Sequence, residues 1–431
     1  MKRYMLMPLM LSMILTFTGI SAADYGLGIY GNANLDNVID EEDISYINDI
    51  INDTLDPTEL ADANHDGKID KDDVKQVKDI IGGSEKELIY IDIFGEAVRV
   101  NKPIERLVNM GWNGVDVTRA LDAEDLLVAV GNDYRAKTPI SYPFISKLPS
   151  VGDTADNCDY EKVLSLDPDA VQTNLEANFA VAESGRTQYE KFKENLPGIP
   201  LISLNIREID NLSRNIRTYG YIIDKEEKAE EFASWIERQR DLITSRIKSI
   251  PDEDRKRVYF EYRRYQTKGS GDRYSKSYIM AGGKNIADDM VGEDSVNYYS
   301  VFDIDPEYVI LKDPEFIFIH ASSQLNASDH GFETDDPSVM AAMRDELLKR
   351  PELASVTAVK EGNVYVLDES ILGGAGQTLI GSLYMAKLIY PELFADIDPE
   401  EVHQEYVDRF CNIDFDVKKQ GVFIYPPIQS G

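Results

Sequence analysis

The sequence predicts an α/β protein: two α/β lobes joined by one long helix, with a small all-α domain ahead of them. Three observations predict this. Strand-like runs alternate with helical patterns from about Leu88 to Leu204 and again from Arg257 to Leu367, as βα units around a parallel sheet do. Between them, a charged and mostly glycine-free stretch runs from about Asp210 to Ile250 with apolar residues at near-helical spacing. Ahead of both, two acidic loops thirty residues apart each lead into an amphipathic helical pattern.

The chain starts as an export signal does. Met1-Lys2-Arg3 is basic, Met5 to Ile20 is apolar, and Ser21-Ala22-Ala23 offers small residues for cleavage, which assigns residues 1–23 to a signal peptide. No later run of about 18 apolar residues follows, so the mature chain is expected to be exported without a membrane span, to the periplasm, cell surface or exterior. The 431 residues carry 45 Lys+Arg against 78 Asp+Glu, a formal charge of −33. That balance argues against a nucleic-acid partner, which needs a basic face. A hydrophobic content of 43% argues against global disorder, and two cysteines exclude a four-thiolate zinc site.

Residues 24–83 hold sixteen acidic and four basic residues, with the acids placed in register. In twelve-position loops beginning at Asn32 and Asp62, positions 1, 3, 5, 9 and 12 are Asn32, Asn34, Asp36, Asp40 and Asp43, then Asp62, Asn64, Asp66, Asp70 and Asp73. Those positions supply oxygen ligands in a calcium loop, with the main-chain carbonyl of position 7, here Val38 and Lys68, as a further ligand. Calcium is a hard cation that takes six to eight oxygens, and two Ca2+ ions would relieve the repulsion among these carboxylates. Position 6 bends sharply, and Asn37 and Gly67 suit a positive φ there. After the loops, Ile44, Ile47, Ile50 and Ile51 match Val74, Val77, Ile80 and Ile81 thirty residues on, one apolar face per helix.

Tyr25–Gly31 ahead of the first loop is too short and glycine-rich for an entering helix, so the unit is loop-then-helix, twice, with Asp at position 12. This pattern resembles a dockerin. The resemblance implies a cohesin-type protein as attachment partner, with its choice influenced by loop positions 10 and 11, here Glu41-Glu42 and Lys71-Asp72. Gly82-Gly83-Ser84 reads as a short flexible joint to the rest of the chain.

In the remainder, Leu88–Ile93, Arg106–Met110, Leu127–Gly131, Ala170–Thr173 and Pro200–Leu204 are the strands expected in a first lobe, residues 84–209. Ile216, Tyr219, Ile222, Ile223, Phe232, Trp235 and Ile236 mark the bridging helix, 210–250, which Pro251 ends. A helix of that length would run roughly 60 Å, too long for one small lobe. Arg257–Tyr262, Phe316–His320 and Asn363–Leu367 restart the alternation in a second lobe, 251–431.

Several segments in order along residues 86–414 resemble the substrate-binding proteins of ABC importers for ferric siderophores, haem and cobalamin. These are Ile91–Val100, Pro103–Val108, Leu148–Gly152, Tyr160–Asp169, Gly282–Asp288, Asp305–Ile310, Thr357–Val366 and Tyr390–Phe394. The resemblance implies capture of a metal chelate between two lobes and delivery to an ABC permease. In that family a carboxylate on each lobe docks on the permease, and Glu161 and Glu307 occupy the matching positions. An acid in a helix's first turn also favours the helix itself.

A cleft ligand would meet loops at the strand ends. On the first lobe Trp112, Tyr134 and Arg135 follow strand ends; on the second, Tyr262-Arg263-Arg264-Tyr265 follows a strand and Arg273-Tyr274 comes soon after. Arginine matches carboxylate or catecholate oxygens and aromatic rings stack on flat ligands, so an anionic chelate is the expected ligand. Gly373–Thr378 is a further candidate cleft loop, and His320, at a strand end, is either a core histidine or an iron or haem ligand. Cys158 and Cys411 either pair or stay free.

No enzyme is expected: His65, His320, His330 and His403 have no metal-ligand spacing, and no nucleophile elbow is present. The alternative is a dockerin-mounted structural or interaction protein whose two lobes no longer serve transport.

Overall fold

The computed structural model describes residues 25–131, 138–173, 175, 182–293, 295–322 and 325–428. The expected signal segment and the candidate ligand residues Tyr134 and Arg135 lie outside the described residues. Among the described residues no helix is long and apolar enough to cross a membrane.

Two parallel sheets form where the alternating runs are. In the first lobe the strands lie side by side as Leu127–Val130, Leu107–Asn109, Ala170–Gln172 and Leu201–Ile202. In the second they lie as Gly283–Asn285, Lys256–Glu261, Phe316–His320 and Val364–Leu367, with Ile424–Tyr425 added antiparallel at the edge. Numbered in chain order within each lobe, both parallel sets read 2-1-3-4. The order reverses beside the first strand of each sheet, which is where α/β sheets open a crevice at their carboxyl ends.

The strands bury both faces, as parallel sheets covered by helices must. Val108, Met110, Ala129 and Val171 pack outward on the helices Tyr160–Ser165 and Ala182–Asn195. In the second sheet alternate residues divide the same way. Tyr259, Ile317 and Val364 face an outer core with Met340 and Leu347, while Phe260, Phe318 and Leu367 join the large inner core.

The single helix expected over 210–250 is instead two packed helices, Leu212–Ile222 and Glu226–Ile247. The reason sits 120 residues away. Lys102, its side chain 2% exposed, donates to the carbonyls of Tyr221 (2.7 Å) and Ile222 (2.9 Å) and pairs with Asp224 at 2.6 Å. A cation on the last carbonyls caps a helix, and Asp224 turns the chain with φ +57. Glu226–Ile247, roughly 33 Å long by helix rise, remains as the bridge. Lys228 holds it to Asp122 of the first lobe, and Arg246 holds it to Asp396 and the Leu393 carbonyl of the second.

The N-terminal loops and helices do not hang from a flexible joint. Ser84 donates to the Asp79 carbonyl (2.8 Å), Glu85 lies beside Lys102 at 3.9 Å, and Lys102 donates its N–H to the Lys86 carbonyl at 2.9 Å. Leu27, Ile29, Ala33, Ile47 and Val77 are buried in the same core as Leu88, Tyr90, Ile216 and Tyr219 of the first lobe. Two loop-helix units bury little apolar surface alone, and the first lobe completes their core.

Candidate functional site

Three sets of residues carry the candidate function: the interlobe cleft, two exposed carboxylates, and the two twelve-position N-terminal loops. On the second lobe's cleft wall, Tyr262 follows the strand Lys256–Glu261 and His320 ends the strand Phe316–His320, so the sheet brings their rings to 5.1 Å. Tyr274, in the helix Arg273–Met280 capped by Asp272, sits 4.8 Å from the same imidazole. Glu369, in the turn after Val364–Leu367, collects this cluster. Its carboxylate accepts from Tyr274 (2.8 Å), bonds His320 Nε2 (2.6 Å) and pairs with Arg273 at 3.1 Å. Burial alone would raise the Glu369 carboxyl; Arg273 and His320 outweigh it and hold it down to about 2.

Arg207, just past the last strand of the first lobe, comes close enough to Arg273 for the two charges to repel. Burial first, then Arg273, pushes its guanidinium down to about 10. Arg207 and Arg273, both half-buried and one from each lobe, thus lie near one another at the lobe junction. Lys268 adds a third cation over the Tyr262 ring, 4.5 Å from its centroid, with Asp272 at 3.0 Å as its partner.

On the first lobe Trp112 opens the helix Trp112–Ala120 and donates its indole N–H to Tyr142 at 3.1 Å. Tyr142 in turn bonds Asp116 at 2.5 Å, and Arg119 covers its ring. Trp112, Thr138 and Tyr142 face His330, Phe332 and Asp368 across a gap of about 30 Å³, room for a water rather than a chelate. Glu333 closes this gap from the second lobe, accepting from Ser141 N–H (2.9 Å), Ser141 Oγ (2.8 Å) and Ile140 N–H (3.2 Å). His330 is bonded through Nδ1 to Asp368, and its buried Nε2 has no hydrogen-bond partner.

The candidate residues thus divide. Tyr262, Arg273 and Trp112 lie on the cleft walls, with Arg263 exposed and stacked on Tyr262 at 5.3 Å. Arg264 and Tyr265 do not: Arg264 pairs with Glu346 at 2.5 Å and Tyr265 bonds Glu352 at 2.5 Å, on the outer face of the sheet. The chain reverses at the carboxyl end of this strand, with Arg263 bridged to Gln266, so neighbours in sequence end on opposite faces. Gly373–Thr378 is buried, not open to the cleft; a Cβ on Gly374 would lie 1.8 Å from Asn113 Oδ1, so glycine here permits close approach of the lobes. Cys158 and Cys411 are free and lie in different cores. His330, Glu333 and Glu369 carried no sequence signal, because each depends on a fold contact far along the chain.

Glu161 and Glu307 are both exposed, each second in its helix behind an aspartate cap, Asp159 and Asp305. Neither carboxylate has an ion pair among the described residues. Both helices precede the third strand of their sheet. The surroundings repeat at a spacing of 146 (307 − 161, 313 − 167, 315 − 169), Val163–Val171 matching Val309–Ile317. Arg106 donates to the carbonyls of Leu166 and Asp167 as Arg257 does to those of Lys312 and Asp313. This internal repeat was visible in the sequence as two Asp-Pro-acid-apolar-apolar segments.

In the N-terminal loops, Asp40 and Asp70 cap the helices Glu41–Ile51 and Lys71–Ile81, and Asp43 and Asp73 close capping boxes. Asp43 also accepts from Asn34 N–H (3.2 Å), and Asp73 from Asn64 N–H (3.1 Å). Both are fully buried, and burial pushes the Asp43 carboxyl up to about 6. Asn32, also fully buried, spends its amide N–H groups on Leu27 and Asp36 carbonyls, leaving Oδ1 without a partner. An orphaned oxygen at position 1 beside buried carboxylates fits a hard cation. No group of three or more His, Cys, Asp or Glu that could hold a metal ion gathers among the described residues. Gly67 has the expected positive φ, +90, but Asn37 does not; Leu35 and His65, at position 4, bend left-handed instead.

A family model described as Periplasmic binding protein matches residues 107–371, more than half of the chain. The chain is a periplasmic binding protein. Binding proteins of this kind capture solutes rather than transform them, in keeping with the reading that it is not an enzyme. The molybdate-binding protein MolA of Haemophilus influenzae is 22% identical over 347 residues, 75% of this chain and 90% of that one. Among solved structures, the TroA-like periplasmic binding protein FepB from Veillonella parvula superposes with a TM-score of 0.63 at 22% identity, covering 78% of this chain and 98% of that one. An ABC transporter solute binding protein from Sulfurospirillum deleyianum gives 0.61 at 18%, covering 77% and 97%. These likenesses share the two-lobed periplasmic-binding fold.

Proposed function

We propose that this periplasmic binding protein captures an anionic metal chelate, of the ferric siderophore, haem or corrinoid kind, and delivers it to an ABC permease through Glu161 and Glu307. The observation that carries the reading is the meeting of Arg207 and Arg273 at the lobe junction. Burial and the nearby Arg273 hold the Arg207 guanidinium down, and an anion at this junction would favour its charged form. Tyr262 and Trp112 supply flat surfaces for a conjugated or catecholate ligand. A second reading, a tetrahedral oxyanion, is favoured by the relative named for molybdate.

The N-terminal loops bind two Ca2+ ions in this proposal, through Asn32, Asn34, Asp36, Val38, Asp40 and Asp43, and through Asp62, Asn64, Asp66, Lys68, Asp70 and Asp73. The exposed Glu41, Glu42, Lys71 and Asp72 leave a face for a cohesin-type partner.

Thermal unfolding of the full chain against ferric siderophores, haem, corrinoids, molybdate and tungstate tests the cargo. A ligand at about 100 times its Kd adds about 2.7 kcal/mol. Stabilisation by a chelate supports the first reading, and by an oxyanion alone the second. No shift with any of them in a folded sample overturns the transport reading in favour of an attachment protein.

A further inference from the structure

We infer that calcium in the N-terminal loops braces the solute-binding body itself, by fixing the helix Leu212–Ile222 against which the bridging helix packs. This rests on the calcium reading above and goes beyond attachment. Ile39 is position 8 of the first loop, between the Val38 carbonyl and Asp40, both proposed ligands. Its N–H donates to the Tyr221 hydroxyl at 2.9 Å. Ahead of the same loop, Gly28 N–H donates to Thr218 Oγ1 at 3.1 Å. Both acceptors stand on Leu212–Ile222, whose Tyr219 hydroxyl bonds Thr118 of the first lobe at 2.8 Å and whose last carbonyls Lys102 holds.

The second loop is tied to the same lobe. Arg99 donates to the Asn64 carbonyl at 3.1 Å, and Gln76, from the helix that loop leads into, donates to the Glu87 carbonyl at 2.8 Å. The segment ahead of the loops extends the lobe's hairpin: Tyr30 N–H donates to Ile89 and Ile91 N–H to Gly28, both at 2.9 Å. The second observation at the site is the unpartnered oxygen of Asn32, 0% exposed at position 1. A cation drawing Asn32 Oδ1, the Val38 carbonyl and Asp43 together fixes the backbone on either side of Ile39. That fixes the donor that holds Tyr221. With no slack joint and one shared core, the stabilisation passes to the body rather than ending at residue 83.

The test is hydrogen exchange on the full chain in free calcium and in chelator, with calcium binding measured separately by titration calorimetry. Calcium at about 100 times Kd is expected to slow exchange that requires unfolding by about 100-fold per site, in residues 212–222 as well as in 25–83. Tyr221→Phe should keep calcium binding while the protection in 212–222 shrinks. If that variant does not fold, the wild-type comparison decides alone. Calcium that binds but protects only 25–83 overturns the inference and leaves the calcium reading intact. No heat of binding overturns the calcium reading, and this inference with it.

Discussion

Glu161 and Glu307 occupy the same place in two copies of one unit, each second in a short helix that leads into the third strand of its sheet. In a βα unit such a helix starts at the carboxyl edge of the sheet, the edge that borders the crevice. One exposed carboxylate is ordinary helix chemistry. Two at matched positions, without ion pairs among the described residues, would give the proposed permease partner two fixed points on a two-lobed body.

Glu161→Ala with Glu307→Ala is therefore expected to abolish stimulation of permease ATPase activity in reconstituted vesicles. Each single change should weaken it in part. Ligand Kd and unfolding temperature should stay at wild-type values, since neither side chain packs. Loss of ligand binding in the double variant would place these residues elsewhere in the function.

Glu369→Gln removes the carboxylate that pairs with Arg273 in a buried cluster. Leaving a buried charge uncompensated costs about 3–5 kcal/mol, and the variant should unfold at correspondingly lower urea. A change under about 1 kcal/mol would mean that water reaches Arg273 in solution.

His403 is buried among Phe332, Phe423 and Tyr384, and burial lowers its imidazole to about 3. Its folded pKa lies below the unfolded value near 6.5, so its contribution is present above about 6.5 and is lost as pH falls toward 3. Stability should drop by up to about 1.4 kcal/mol per pH unit from this group. His330 has the opposite sign: burial lowers it, but Asp368 outweighs that and raises it, so its contribution fades as pH rises. Urea unfolding at several pH values should show a shallower acid slope in His403→Gln than in wild type.

Asn32→Asp puts a carboxylate at position 1 of the first loop. Its neutral predecessor donates to the carbonyls of Leu27 and Asp36, bonds an aspartate cannot make. The variant should thus unfold at lower temperature in chelator yet show a larger upward shift with calcium. A calcium shift equal to wild type would remove Asn32 from the ligand set.

Much of this architecture is readable along the chain. The expected parallel strands formed within a few residues of their expected bounds, except Leu88–Ile93, which pairs antiparallel with Ala97–Asn101 as a hairpin outside both sheets; a strand buried on both faces needs a continuous apolar run wherever it lies. The apolar faces at Ile47, Ile50, Val77 and Ile80 were readable for a similar reason, as helical periodicity is local. The strand Gly283–Asn285 was not, since three residues lined against Lys256–Val258 have no pattern of their own.

By itself, then, the sequence determined what depends on neighbours a few residues apart: the alternation of strands and helices, the twelve-position loops, and a helix start at each aspartate cap. Tertiary structure decided whatever one side chain does to a distant backbone. Lys102 stops a helix at Ile222, Tyr221 holds a loop at Ile39, and the reversal after Glu261 sends Tyr262 to the cleft but Tyr265 to the outer core. Local patterns specify which way a residue can bend; burial and hydrogen bonding across a hundred or more residues select which groups finally meet.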